Sequence, residues 1–396
     1  MKKTVGRLTL AFLLAAPVLG ALAGRPARAA DRPCSALYFP NWNIHQDPAQ
    51  QVKNLPWQYA DCIYHAFWRV APAEGGYAIV STDPWADTGE GNPLAHFPQY
   101  REMAARYPGK KILLSIGGWT CCGHFSEMAL TAESRASFIR SCLDTLEKYP
   151  FFSGLDLDWE YPGVARAVGD GGEGCPVMGN DWENYTSLLR ELRSALDARF
   201  GPGAKQLTVC AGAPLSVLKK QDYAALHPNV DAVNLMTYDM AGDGAAVTGH
   251  HAALYGSVSA DAAVKYLLAL GVPAGKIRIG CPLYSRGWRM AEGYAKALGA
   301  PVRQAVESRV WRELKALESA PGWHADYDAD ARAAYLWNDD PASPDCGLFY
   351  SYDSEQSLDE KLRYIRKKGL GGLILWESSG DSADHAMLRR IHAAWR

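Results

Sequence analysis

Short apolar runs recur along the chain, separated by longer stretches with a different spacing of apolar residues. The runs "ALYFPNW", "CIYHAFW", "KILLSIGGW" and "GLDLDWEYP" begin at Ala36, Cys62, Lys111 and Gly154. "QLTVCAGA", "VDAVNLMTYD", "KIRIGCPLY" and "LGGLILWE" follow from Gln206, Val230, Lys276 and Leu370. Each has the length and the β-branched or aromatic content of a buried strand. Between them, Thr131–Tyr149 and Asn180–Phe200 place apolar residues three and four apart behind a polar residue that can cap a helix. Ser259–Gly271 and Ser354–Gly369 repeat the pattern and end in glycine, as helix C-termini do. Eight strands alternating with helices predict an α/β fold, a (β/α)8 barrel.

One interval breaks the rhythm. Residues 287–349 separate the seventh strand from the helix before the eighth and are rich in Trp, Tyr, Asp and Ala. They are assigned to a small α+β insertion on the C-terminal side of the barrel, within a domain spanning 31–396. No low-complexity tract or internal repeat encodes a separate polysaccharide-binding module. At the other end, Lys2, Lys3 and Arg7 precede an apolar run from Leu8 to Leu22, and Ala27 and Ala29 offer an A-x-A cleavage pattern. Residues 1–30 therefore read as a secretory signal peptide, the run being shorter than the roughly 20 residues a membrane span requires.

The fourth run carries the chemistry. Asp156, Asp158 and Glu160 alternate with Leu155, Leu157 and Trp159, and in a strand alternate residues share a face. The acids would then stand roughly 7 Å apart, at about 3.3 Å of rise per residue. On a solvated sheet this is an ordinary acidic face. In a parallel barrel, however, Leu155, Leu157 and Trp159 suit the helix side, which sends the three acids inward and upward to the C-terminal rim, where barrel enzymes hold their active sites. Pro162 ends the strand just beyond Glu160. Stacked carboxyls with little water cannot all ionise, so at least one stays protonated, as a general acid must.

Charge and composition narrow the partners. Removing the leader takes away five basic residues and no acidic one, moving the formal charge from -2 to -7. A weakly acidic surface speaks against nucleic acid and anionic membranes. With 13 Trp and 20 Tyr the chain has more rings than its core requires, and rings stack on sugar faces. Nine cysteines in an exported chain imply disulfides, the odd number leaving one unpaired. No C-x-x-C and no H-E-x-x-H spacing occurs, so neither a metal nor another cofactor is expected.

The strand around Glu160 resembles the D-x-x-D-x-D-x-E signature of the family 18 glycoside hydrolases, the chitinases, and the likeness runs through the mature chain. "SIGGW" (Ser115–Trp119), "MTYDM" (Met236–Met240), "GCPLYSRGW" (Gly280–Trp288) and "GGLILWESSGD" (Gly371–Asp381) resemble the family's other blocks, in its order. The resemblance implies a secreted, monomeric chitinase that cleaves β-1,4 bonds between N-acetylglucosamine units of chitin or its oligomers. Glu160 would be the acid and later the base, while the substrate's N-acetyl group acts as nucleophile, an exception among retaining glycosidases. Asp158 would orient that group and Asp156 share a proton with it, with Ser115 and Tyr38 as candidates to hydrogen-bond Asp156. Tyr238 would bond the acetamido oxygen, Met236 and Asp239 would line its pocket, and Trp376 would form the floor. Tyr38, Phe67, Gly117, Gly118, Trp119, Tyr161 and Arg286 would follow the cleft. Trp159, by parity, is packing.

The chain departs from the pattern at Ser153, where the family has its first Asp. Three residues before Asp156 it faces the other way in a regular strand, so its effect is expected on local structure more than on chemistry. Ser285 stands where glycine is commoner. By analogy with animal members, Cys34 and Cys62 are expected to form a disulfide, and Cys175, on the glycine-rich loop 169–179, lies within reach of Cys121 or Cys122. Two other functions share the fold: a sugar-binding lectin, which in this family lacks the catalytic Glu, and a hydrolase of the chitobiose core of N-glycans.

Overall fold

The computed structural model describes residues 32–89, 91–169, 172–291 and 297–396, so the expected leader lies outside the described residues. Strands in chain order are β1 (Cys34–Pro40), β2 (Cys62–Ala73), β3 (Gly76–Ser81), β4 (Lys111–Gly117), β5 (Gly154–Asp158), β6 (Gln206–Gly212) and β7 (Ala232–Met236). They continue as β8 (Ile277–Pro282), β9 (Arg286–Met290), β10 (Val302–Val306), β11 (Trp323–Asp328), β12 (Ala333–Asn338), β13 (Leu348–Tyr352) and β14 (Gly372–Trp376). Strands β1, β14, β8, β7, β6, β5, β4 and β2 are neighbours in that order, and β1 pairs with β2 to close the ring. All eight barrel pairings are parallel. The (β/α)8 barrel is therefore the fold.

The helix signals act as their chemistry requires. Thr131 and Ser134 form a reciprocal capping box at the start of the helix Ala132–Lys148. Ser259 and Ser354 cap the helices Ala260–Ala269 and Glu355–Lys368. Gly369 closes the latter at φ 65°, a conformation that glycine adopts without strain. Asn180 makes no side-chain cap, so the helix Asp181–Phe200 relies on Asp181 and Glu183 in its first turn.

Parity sorts the barrel into two layers. Leu155 and Leu157 are fully buried in the same cluster as Leu188 and Leu192 of the helix Asp181–Phe200. Trp159 stacks on Phe125 at 5.3 Å and meets Tyr185 edge-on. The interior layer is separate and contains Tyr38, Tyr64, Leu113, Met236 and Ile374, with Tyr38 stacked on Tyr64 at 4.6 Å. Burying each Leu side chain stabilises the fold by about 1.5–3 kcal/mol.

Two parts of the chain go beyond the eight-strand pattern. Strand β2 extends above the rim and folds back antiparallel with β3. Residues 286–352 build a second, antiparallel sheet ordered β10-β9-β13-β12-β11, with one short helix, Trp311–Leu317. This sheet leaves the barrel directly above the C-terminal end of β8, and the helix Glu355–Lys368 returns the chain to β14.

The expected Cys34–Cys62 bridge is not present, and all nine cysteines are unpaired. The reason is register. Cys62 lies opposite Ala36, which leaves Cys34 two residues further down β1. With strands about 4.8 Å apart and about 3.3 Å of rise per residue, their Cα atoms are roughly 8 Å apart, beyond the about 7 Å a disulfide spans.

Candidate active site

Four strands converge on Asp156. The hydroxyls of Ser115 on β4 and Tyr38 on β1 donate to its Oδ2 at 2.7 and 3.0 Å. Thr208 on β6 and the Asn234 amide on β7 donate to its Oδ1 at 2.5 and 3.0 Å. The ladder brings these groups together, since Asp156 lies opposite Ser115 on one side and Thr208 on the other. Burial pushes the Asp156 carboxyl up, and hydrogen bonds from Thr208, Ser115, Tyr38 and the Cys210 thiol oppose it. A carboxylate so surrounded can carry charge in the interior.

Asp158, two residues higher, has the opposite environment. It is 3% exposed, and its Oδ1 has no hydrogen-bond partner. Burial first, then the charges of Glu160 and Asp156, push its carboxyl well above the usual range. Asp158 is therefore pushed toward its protonated form and lines the cavity above. Strand β5 ends there, and Glu160 sits just past its end, half-buried. Burial raises the Glu160 carboxyl to about 7, against a lowering hydrogen bond from Tyr161 and with added repulsion from Asp239. Ser153 lies below β5, and its hydroxyl accepts from the Ile112 amide at 3.4 Å, away from the acids.

The cavity above these acids has a volume of about 600 Å³. Tyr38, Phe67, Asp158, Glu160, Tyr161, Met236 and Tyr238 line it, as do Trp119, Asp239, Arg286 and Trp376. Trp376 closes β14 and stacks on Phe67 at 5.5 Å. Trp119, 48% exposed, carries the Arg166 guanidinium 4.0 Å from its ring centre. Asp239 accepts from Tyr284 Oη at 2.7 Å and from Arg286 Nε at 2.6 Å. Burial pushes its carboxyl up, but His251 and Arg286 outweigh this and hold it well below the usual carboxylate range. A carboxyl held toward its charged form thus faces two that are pushed toward protonation.

The pattern of Glycosyl hydrolases family 18 matches residues 35–381. The chain belongs to that family. It is 31% identical over 406 aligned residues to Chitinase A1 of Niallia circulans, covering 88% of this chain and 56% of that protein. The chain thus spans little more than half the length of that relative. Among solved structures, a chitinase from Bacillus thuringiensis superposes with a TM-score of 0.81 at 26% identity, over 92% of this chain and 69% of that one. A family 18 N-acetylglucosaminidase from Paenibacillus barengoltzii gives 0.76 at 29%, over 91% and 99%.

Within this family 18 site, three residues expected from the sequence stand apart from the cavity wall. Asp156 lies beneath the cavity. Gly117 and Gly118 do not line it but let the chain pass close to the acids. A Cβ on Gly117 would fall 2.2 Å from the Asp158 carbonyl oxygen, and one on Gly118 2.4 Å from the Phe67 ring. Their φ angles are 113° and 82°. Gly117→Ala is accordingly expected to cost about 2–4 kcal/mol from strain and overpacking, read as a lower denaturant midpoint with little change in slope. Residues not anticipated include Tyr284, Trp42, Cys210 and Asp243 in the wall, and Thr208 and Asn234 beneath it.

Proposed function

We propose that the protein is a secreted chitinase that hydrolyses β-1,4 bonds between N-acetylglucosamine units with net retention, the substrate's own acetamido oxygen acting as nucleophile. One observation carries the reading: the second carboxyl, Asp158, is buried, pushed toward its protonated form by burial and its neighbours, and without a partner on Oδ1. A retaining glycosidase of the two-carboxylate type needs an ionised nucleophile about 5–5.5 Å from its acid. An Asp158 pushed toward protonation is a poor candidate for that task, whereas a carboxyl with an unpartnered oxygen suits an acetamido N–H.

In this mechanism Glu160 protonates the glycosidic oxygen as the acetamido oxygen attacks the anomeric carbon. Positive charge grows on the resulting ring, and Asp158 stabilises it as its proton passes to Asp156, whose four donors then secure the pair. Tyr238, Met236 and Trp376 surround the acetamido group and the sugar face. Glu160 then deprotonates the water that opens the ring. The sheet of residues 286–352 begins at Arg286 on the cavity wall, and Trp288 Nε1 donates to the Gly242 carbonyl at 3.2 Å, which supports a deep cleft suited to a linear polymer. The leader pattern over 1–30 supports export.

Incubation with chitin oligomers and, separately, with a high-mannose glycopeptide tests the assignment. Products from the oligomers alone support it, and cleavage of the glycopeptide alone would replace it. A pH dependence follows from Glu160. A general acid works while protonated, so kcat/KM should hold below about 7 and fall as pH rises through that value. A flat profile up to pH about 9 would remove Glu160 from the role.

A further inference from the structure

Behind Glu160, on the side away from the cavity, two thiols touch. Cys122 and Cys175 are both fully buried, and their thiols lie close enough to influence each other's titration. Their sulfurs bracket the end of the catalytic strand. The Glu160 backbone N–H donates to Cys122 Sγ at 3.2 Å, and the Cys122 thiol donates to the Gly118 carbonyl at 3.2 Å. Trp159 Nε1 donates to Cys175 Sγ at 3.3 Å, and the Cys175 thiol reaches the Tyr161 carbonyl at 3.7 Å.

The two chain segments that carry the thiols are already matched. Arg166 and Cys175 exchange backbone hydrogen bonds of 2.9 Å, and the Glu173 amide donates to the Thr120 carbonyl at 2.9 Å. Arg166 also hydrogen-bonds the Trp119 carbonyl and stacks on its ring. The contact therefore ties the wall that presents Trp119 to the peptide that presents Glu160. Cys121 is directed elsewhere, its sulfur resting on the Thr120 hydroxyl at 3.6 Å.

We propose that Cys122 and Cys175 are a disulfide-forming pair that, once oxidised, locks the segment around Arg166 to the loop after β4 behind the catalytic acid. The oxidant is a small disulfide such as glutathione disulfide, met while the chain folds and before the thiols are buried. The Cys175 thiolate attacks one sulfur of the oxidant and expels a thiolate, giving a mixed disulfide. Cys122, deprotonated, then attacks Cys175 Sγ and expels the second thiolate. Two thiols lose two protons and two electrons, and one oxidant disulfide becomes two thiols. This differs from Cys34 and Cys62, which the ladder keeps apart.

Refolding the full chain in glutathione buffers of graded redox ratio, alkylating, and mapping peptides tests the pair without reference to any glycan. The oxidised protein should yield a peptide linked through Cys175 and melt about 5 °C higher than the reduced protein. Because Cys121 and Cys122 are adjacent, variants assign the partner. Cys121→Ser should keep the link, Cys122→Ser should lose it, and Cys175→Ser should lose both the link and the redox dependence of melting. Full alkylation of Cys175 in the most oxidising buffer would overturn the proposal. So would loss of the link in Cys121→Ser, even if Cys122→Ser failed to fold.

Discussion

Glu160→Gln is expected to lower kcat on a chitin oligomer by about 10²–10⁴-fold while leaving the Kd for the oligomer within a few-fold of the parent. The amide keeps the shape and the neutral charge of the protonated acid, so binding has little to lose. It has no proton to give the leaving oxygen, so the chemical step stops. The half-buried position at the end of β5, and a carboxyl raised to about 7, are what suit Glu160 to donate near neutral pH. Turnover of the variant is measured by product chromatography and binding by calorimetry. A variant that retained a tenth of the parent's turnover would show that the proton comes from another group.

Asp158→Asn should lower kcat by about 10²–10³-fold with KM nearly unchanged. In the ground state burial pushes Asp158 toward its uncharged form, and an amide there also offers an oxygen to an acetamido N–H. The difference appears as positive charge develops on the sugar. A carboxyl can pass its proton to Asp156 and meet that charge as a carboxylate, whereas an amide remains neutral. Loss of an interaction made mainly in the transition state appears in kcat and not in KM. Steady-state kinetics on one oligomer separate the cases. An equal rise in KM with kcat intact would make Asp158 a binding group only.

Much of this was legible in the chain because parallel barrel strands are buried on both faces, which makes parity informative. Leu155, Leu157 and Trp159 could be placed against helices, and Asp156 and Asp158 inside, from alternation alone. Parity carries no information about which inward residues meet. Thr208 and Asn234 face inward by the same count, but that they reach Asp156 depends on the stagger between β5, β6 and β7. The register between β1 and β2 likewise separates Cys34 from Cys62, which spacing along the chain could not show. Gly117 and Gly118 were placed along the cleft by resemblance, whereas their positive φ angles and close approach to Asp158 and Phe67 are backbone properties without a periodic signal. Tyr284 lay inside a recognised block without a role. Its bond to Asp239 joins the ends of β7 and β8, a contact between residues 45 positions apart.

In the proposed mechanism the nucleophile belongs to the substrate. Attack by the acetamido oxygen and then by water inverts the anomeric carbon twice. Proton NMR of the earliest product released from a chitin oligomer, recorded before mutarotation, reads the outcome directly. The β-anomer is expected first, with no release from an oligomer whose cleavage-site sugar lacks its N-acetyl group. Initial α-anomer, or brisk cleavage of the deacetylated oligomer, would contradict it.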